Sequence, residues 1–211
     1  MTNSKKNYIL LVVVAACLLL ASVGATADPD ESNSPGAGVQ QVTETEAEVR
    51  AAMAVFDRQR GSGDALSEWL AGKLDAAAEF GMNPALSRLS IGNATNSLYA
   101  VPARGHVCAV LTVGEGASVS CPPTGDVAAG RSAPSTVALA TGDVAIYGIV
   151  PNAVESVSVQ TGPSESTKVD VEGNAYYTVV SAGTPLKTVR YAGPSGSVEF
   201  PIYDPQLVRD G

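Results

Sequence analysis

HVCAVLTVGEGASVSCP, residues 106–122, holds two runs of β-branched and small side chains on either side of Gly114-Glu115. Strand formers flanking a two-residue turn with glycine first spell a β-hairpin on a type II′ turn. That turn fixes the register: paired residue numbers sum to 229. Cys108 then faces Cys121 and Val110 faces Val119, all on one face of the ribbon because side chains alternate with a period of two. Directly opposed Cβ atoms stand about 4.5–5.5 Å apart, slightly wider than a disulfide wants, so a bridge requires the strands to pinch. In a reducing compartment the pair reads as two buried thiols; in an exported chain it reads as a disulfide.

The amino end argues for export. Lys5 and Lys6 precede an apolar run from Tyr8 to about Val23, and Ala25-Thr26-Ala27 supplies the small-x-small pattern of a signal peptidase site before Asp28. Residues 1–27 therefore read as a signal peptide, with an uncleaved membrane anchor as the alternative. A third reading takes Val14-Ala15-Ala16-Cys17 as a lipobox with Cys17 lipidated; Leu18-Leu19-Leu20 argue against it, because lipoproteins usually turn polar soon after that cysteine. Of three cysteines, losing Cys17 with the leader leaves one pair.

Loss of the leader removes two of the 13 basic side chains and none of the 21 acidic ones, leaving a formal charge of −10. Such a chain does not suit nucleic acid or an anionic membrane surface. Residues 28–42 are acidic and rich in Ser, Pro and Gly, with too little apolar surface to offset the entropy of ordering them. They read as a disordered linker, either a spacer or a frayed terminus.

Residues 43–83 carry helical periodicity. The spacing predicts a helix over Thr43–Arg60, opened by a Thr45/Glu48 capping box, with Val49, Ala52, Met53 and Phe56 on one face. Gly61-Ser62-Gly63 ends it. Asp64 is then placed to cap a second helix carrying Leu66, Leu70, Leu74 and Ala77, closed near Gly81 and Asn83-Pro84. A DNA-binding helix-turn-helix fails on compartment and charge, so both faces read as packing surfaces, with Trp69 as a half-buried core side chain.

From Pro84 onward, eleven short apolar runs are separated by turn residues, beginning at Arg88, Ser97, His106, Ala117, Thr136, Val144, Glu155, Thr167, Ala175, Leu186 and Ser197. The fold class is mainly β: an antiparallel sandwich of meander or Greek-key type over residues 84–205, preceded by two short helices and followed by a tail, 206–211. Gly125 to Pro134 reads as the longest irregular piece, a mobile surface loop.

Asp64-Ala65-Leu66, Leu86-Ser87-Arg88-Leu89, Leu98-Tyr99-Ala100-Val101-Pro102 running into Val107-Cys108-Ala109-Val110, Cys121-Pro122, Tyr147-Gly148-Ile149-Val150-Pro151 and Gly173-Asn174-Ala175-Tyr176 together resemble uncharacterised extracytoplasmic proteins of actinobacteria. The resemblance spans the mature chain through short motifs. It implies a secreted or cell-envelope domain with a structural cysteine pair, and brings no activity or ligand.

Chemistry-bearing groups are sparse. His106 is the only histidine, so a Ser-His-Asp site would have to use it as base, and no Gly-x-Ser-x-Gly elbow accompanies it. Asp143 with Asp170 is the carboxylate pair a minimal hydrolase would use. Asp170 and Glu172 read as alternation on a solvated face, and no His or Cys cluster suits a metal. Ser90-Ile91-Gly92 and Gly114-Glu115-Gly116 lack the context of a nucleotide loop, and Asn93-Ala94-Thr95 matches a glycosylation sequon at chance frequency. No cofactor is implied. The residues point to a non-catalytic envelope domain presenting loops or an edge strand to a protein or glycan partner; the alternatives are a small secreted hydrolase around His106 and a structural spacer.

Overall fold

Residue pairs summing to 229 are the register found in the hairpin: Ala109 pairs with Ser120, Val110 with Val119 and Leu111 with Ser118. The computed structural model describes residues 46–74, 80–93 and 95–205, all within the unit Pro35–Gly211. The leader with Cys17, the linker 28–42, Thr45, Ala77 and the tail 206–211 lie outside the described residues.

Among the described residues, eleven strands form three antiparallel sheets. The first is a meander of β1 (Arg88–Gly92), β2 (Asn96–Ala103), β3 (His106–Val113) and β4 (Gly116–Ser120), ordered β1-β2-β3-β4. β5 (Ser135–Ala138), β6 (Val144–Ile149) and β9 (Ala175–Val180) make a second sheet in that order. β7 (Ser156–Gln160), β8 (Ser166–Asp170), β10 (Thr188–Gly193) and β11 (Gly196–Pro201) make a third, ordered β11-β10-β7-β8. Every run expected to be a strand is one, with ends shifted by two residues or fewer.

The sheets stack three deep, one more than a simple sandwich. Ala145, Tyr147 and Ile149 of β6 join Leu98, Ala100, Val107, Ala109 and Leu111 in one core. Val144 and Ile146 on the opposite face join Val157, Val159, Tyr176, Val189 and Tyr191 in another. The middle sheet is therefore apolar on both faces, which is why all six residues of β6 are buried and its sequence runs apolar without alternation. Gly148 is set by this packing: a Cβ there would lie 2.6 Å from the Tyr176 hydroxyl oxygen.

Helical residues 46–52, α1, plug the first core with Val49 and Ala52, followed by Met53, Val55 and Phe56. The long helix expected to Arg60 stops at 52 because Met53 is extended (φ −139°), and a 3-10 turn, Ala54–Phe56, follows. Distant side chains hold that break. Asn152 Oδ1 accepts from Ala54 N–H, and Asn174 Oδ1 accepts from Val55 N–H at 2.9 Å. Asn174 also donates to Val150 O at 3.2 Å and to Asn152 Oδ1 at 3.0 Å. It does so from the left-handed region (φ 63°), in the turn after β8.

The second helix is short, α2 (Glu68–Lys73), and Ser67 caps it, its Oγ accepting from Leu70 N–H at 3.2 Å. Leu70 and Leu74 cover the outer face of the first sheet against Val101, Ala103, Cys108 and Val110. Trp69 is 46% exposed and stands outside that cluster, its ring 6.0 Å from the Lys73 ammonium. The expected irregular loop is also corrected. Residues Thr124–Ala128 form a helix, α3, that buries Val127, and the hydroxyl of Tyr191 donates to the carbonyls of Gly130 (3.2 Å) and Ser132 (3.1 Å). Burial pushes that phenol up to about 12 against the opposing Ser132 contact.

Candidate functional site

Cys108 and Cys121 are bonded, with Cα atoms 4.0 Å apart. Val107 N–H donates to Pro122 O at 3.1 Å, which makes 107/122 a hydrogen-bonded pair and 108/121 the closer, non-hydrogen-bonded kind. The pinch expected from the sequence is present. Positive φ falls on Gly114 (54°) and not on Glu115, as a type II′ turn requires.

The candidate catalytic groups do not converge. His106 Nδ1 lies 2.8 Å from Arg104 O and its ring meets Phe80 edge-on at 5.4 Å; among the described residues no serine hydroxyl bonds to it. Asp143 immediately precedes β6, taking the Thr141 hydroxyl (2.9 Å) and Ala182 N–H (3.1 Å). Asp170 ends β8 in another sheet, 3.9 Å from Lys168, with both side chains largely exposed. Glu172 closes the β8–β9 turn by bridging Ala175. Among the described residues, no three His, Cys, Asp or Glu side chains gather as a metal-ligand set, and no helix is long and apolar enough to cross a membrane.

What the topology does bring out is the treatment of sheet edges, where unpaired N–H and C=O groups invite another strand. β1 is closed by an ion pair. Asp64, 2% exposed, accepts from Leu89 N–H at 2.7 Å, and Arg58 donates to Leu89 O at 2.7 Å. The two side chains are joined by bonds of 2.7 and 2.5 Å and occupy the place of a neighbouring strand. Gly61 N–H adds a bond of 2.6 Å, so the role given to Asp64 as a cap for α2 is replaced by this clamp. Burial opposes the Asp64 charge, but the bonds from Arg58, Gly61 and Leu89 with the Arg58 charge outweigh it and hold the carboxyl well below the usual range.

Other edges are guarded differently. β8 carries Lys168 and Asp170, and β11 carries Pro201 and Glu199, the latter 2.8 Å from Arg190. β9 packs beside β1 and β8, and Tyr203 O beside β5 accepts from the Thr136 hydroxyl at 2.9 Å. β4, Gly116-Ala117-Ser118-Val119-Ser120, has neither charge nor proline, a composition it shares with β5 and β9. Since 109/120, 111/118 and 113/116 share the hydrogen-bonding phase of 107/122, the backbone groups of Ala117 and Val119 face away from β3. Val119 is 36% exposed and Ala117 is exposed. The hairpin was legible from the sequence; that β4 is an open edge was not, because strand order is set by non-local pairing.

Comparison with known proteins finds no matching family model, no similar curated protein and no similar solved structure.

Proposed function

We propose that this chain is a secreted or envelope-attached, non-catalytic β-sandwich domain that docks an extended segment of a protein partner along β4. One observation carries the reading: β4 is an uncharged, proline-free edge whose outward-facing residues Ala117 and Val119 are exposed and whose register is fixed by the flanking disulfide. Strand addition draws affinity from main-chain hydrogen bonds and specificity from alternate side chains, here with Val119 as the apolar contact. The disulfide supports an oxidising compartment, and the leader-like residues 1–27 support export. On this reading the chain belongs with the actinobacterial extracytoplasmic proteins whose motifs it resembles.

Ala117→Pro tests it. Proline there removes an outward N–H and leaves the bonds to β3 intact, so stability and the disulfide persist. A partner that the wild-type mature domain captures from envelope extract is released by the variant. Equal capture by both proteins, or none by the wild type, refutes the proposal.

A further inference from the structure

Along one flank the first core is thinly covered. β1 and β2 lie against β9 and β3 lies against β6, which puts β4 on the side of β5, the edge of the middle sheet. The Ser118 hydroxyl meets the Tyr147 hydroxyl at 2.8 Å, and Ser135 of β5 bonds the same phenol, so the two edge strands approach each other there. Ser135 pairs with Tyr147 and Val137 with Ala145, and paired side chains share a face, so these β5 residues point into the first core, with Leu139 continuing the row. β3 covers that core with Val107, Ala109 and Leu111, all buried; β4 offers only Gly116, Ser118 and Ser120 in the same phase. Val113, Val137 and Leu139 pack against the core and yet stay only partly buried. Charge at this flank is one-sided. β4 and β5 carry none, and Glu115, exposed at the head of β4, takes part in none of the ion pairs found among the described residues.

We propose that the β4–β5 flank takes an extended peptide segment of a partner protein that carries apolar side chains at alternate positions and a lysine or arginine at the end beside Glu115. This rests on the reading of β4 as a docking edge and adds what the docked strand must contain. Its residues opposite Ala117 and Val119 exchange the main-chain bonds and point outward. Those opposite Ser118 and Ser120 point inward, beyond the two serines toward Val137 and Leu139, where only apolar side chains complete the core. A second copy of this chain does not meet that requirement, because its β4 would bring glycine and serine to the inward positions and another Glu115 to the flank. The chain as a whole has a formal charge of −8, so a basic segment is drawn in from a distance and settles against the unpaired carboxylate.

The probe is a seven-residue synthetic peptide with lysine at both ends and threonine and valine alternating between them. Titrated into the isotope-labelled mature chain, it shifts the amide resonances of Ala117 and Val119 and the methyl resonances of Val137 and Leu139 saturably and with one midpoint. Alanine in place of its valines weakens binding. Glutamate in place of its lysines weakens it about two- to fivefold, the range set by the strength of exposed ion pairs. That preference narrows in Glu115→Gln, a change at an exposed turn whose unaltered melting curve establishes that the variant is folded. No saturable shift, silent Val137 and Leu139 methyl groups, equal binding of the alanine peptide, or equal binding of the glutamate-ended peptide overturns the assignment. Any of these leaves the β4 edge itself to be judged by capture with Ala117→Pro, so the two failures are told apart. A wild-type dimer in sedimentation that Ala117→Pro dissolves would give the flank to a second copy and also overturn it.

Discussion

Replacing Asp64 by alanine removes the acid that stands in for a strand beside β1. Four hydrogen bonds end on its carboxylate: two from Arg58, one from Gly61 N–H and one from Leu89 N–H. Breaking a fully buried ion pair costs about 3–5 kcal/mol. Arg58, however, is 43% exposed and regains water when released, which brings the charge-pair share down to about 1 kcal/mol. The Leu89 N–H, in a partly buried strand, loses its only outward partner at about 1–2 kcal/mol, and the exposed Gly61 N–H costs less. The sum is about 3 kcal/mol, or about 6–12 °C in Tm for a domain of this size. The pH dependence has a fixed sign. A carboxyl held below its unfolded value of about 3.9 stabilises fully above roughly pH 5 and loses that contribution as pH falls toward its folded value. The gap between wild type and Asp64→Ala, measured by urea denaturation, should therefore be widest at neutral pH and narrow toward pH 3. A gap below about 1 kcal/mol at neutral pH, or one that stays constant in acid, would show that the clamp does not hold β1. Adding Arg58→Ala completes a double-mutant cycle that isolates the pair.

Two further outcomes follow from the packing. Gly148→Ala forces a methyl group against the buried Tyr176 ring and should cost about 1–3 kcal/mol by thermal melting; adding Tyr176→Phe, which removes the hydroxyl the methyl would meet, should recover part of that loss, and no recovery would place the strain elsewhere. Replacing Cys108 and Cys121, 13 residues apart, by alanine should cost about 3 kcal/mol while leaving partner capture by β4 measurable; mass spectrometry of non-reduced peptides from the purified domain should show the two cysteines linked, and two freely alkylated thiols would remove the basis for the staple.

The strands were legible because what makes them is local. Period-two alternation, β-branched runs and turn residues sit within a few positions of one another, and Gly114 alone was enough to set the register that brings Cys108 to Cys121. What escaped was fixed by partners far along the chain. Nothing near Met53 says that the helix must end there; the side chains that accept from the next two N–H groups are Asn152 and Asn174. Residues Gly125–Pro134 look featureless because their anchor is the hydroxyl of Tyr191. Asp64 followed by a helical pattern is a sound cap signal, yet Leu89 and Arg58 compete for the same carboxylate and win with more bonds. The third sheet was hidden because an apolar run such as Val144–Ile149 does not say how many layers cover it.

The hold that Asn152 and Asn174 keep on α1 also bears on the order of assembly. A chain made from its amino end presents residues 46–56 long before their partners, about a hundred positions downstream, have been synthesised. A short helical segment such as 46–52 gains little stability from its own propensity in water. Val49, Met53 and Phe56 share a core with β2 and β3, but the hydrogen bonds that hold the break after α1 wait until the turn carrying Asn174 emerges, so docking of this segment is completed late in folding. Until then, residues 46–56 offer apolar side chains to any factor that shields segments of a nascent chain.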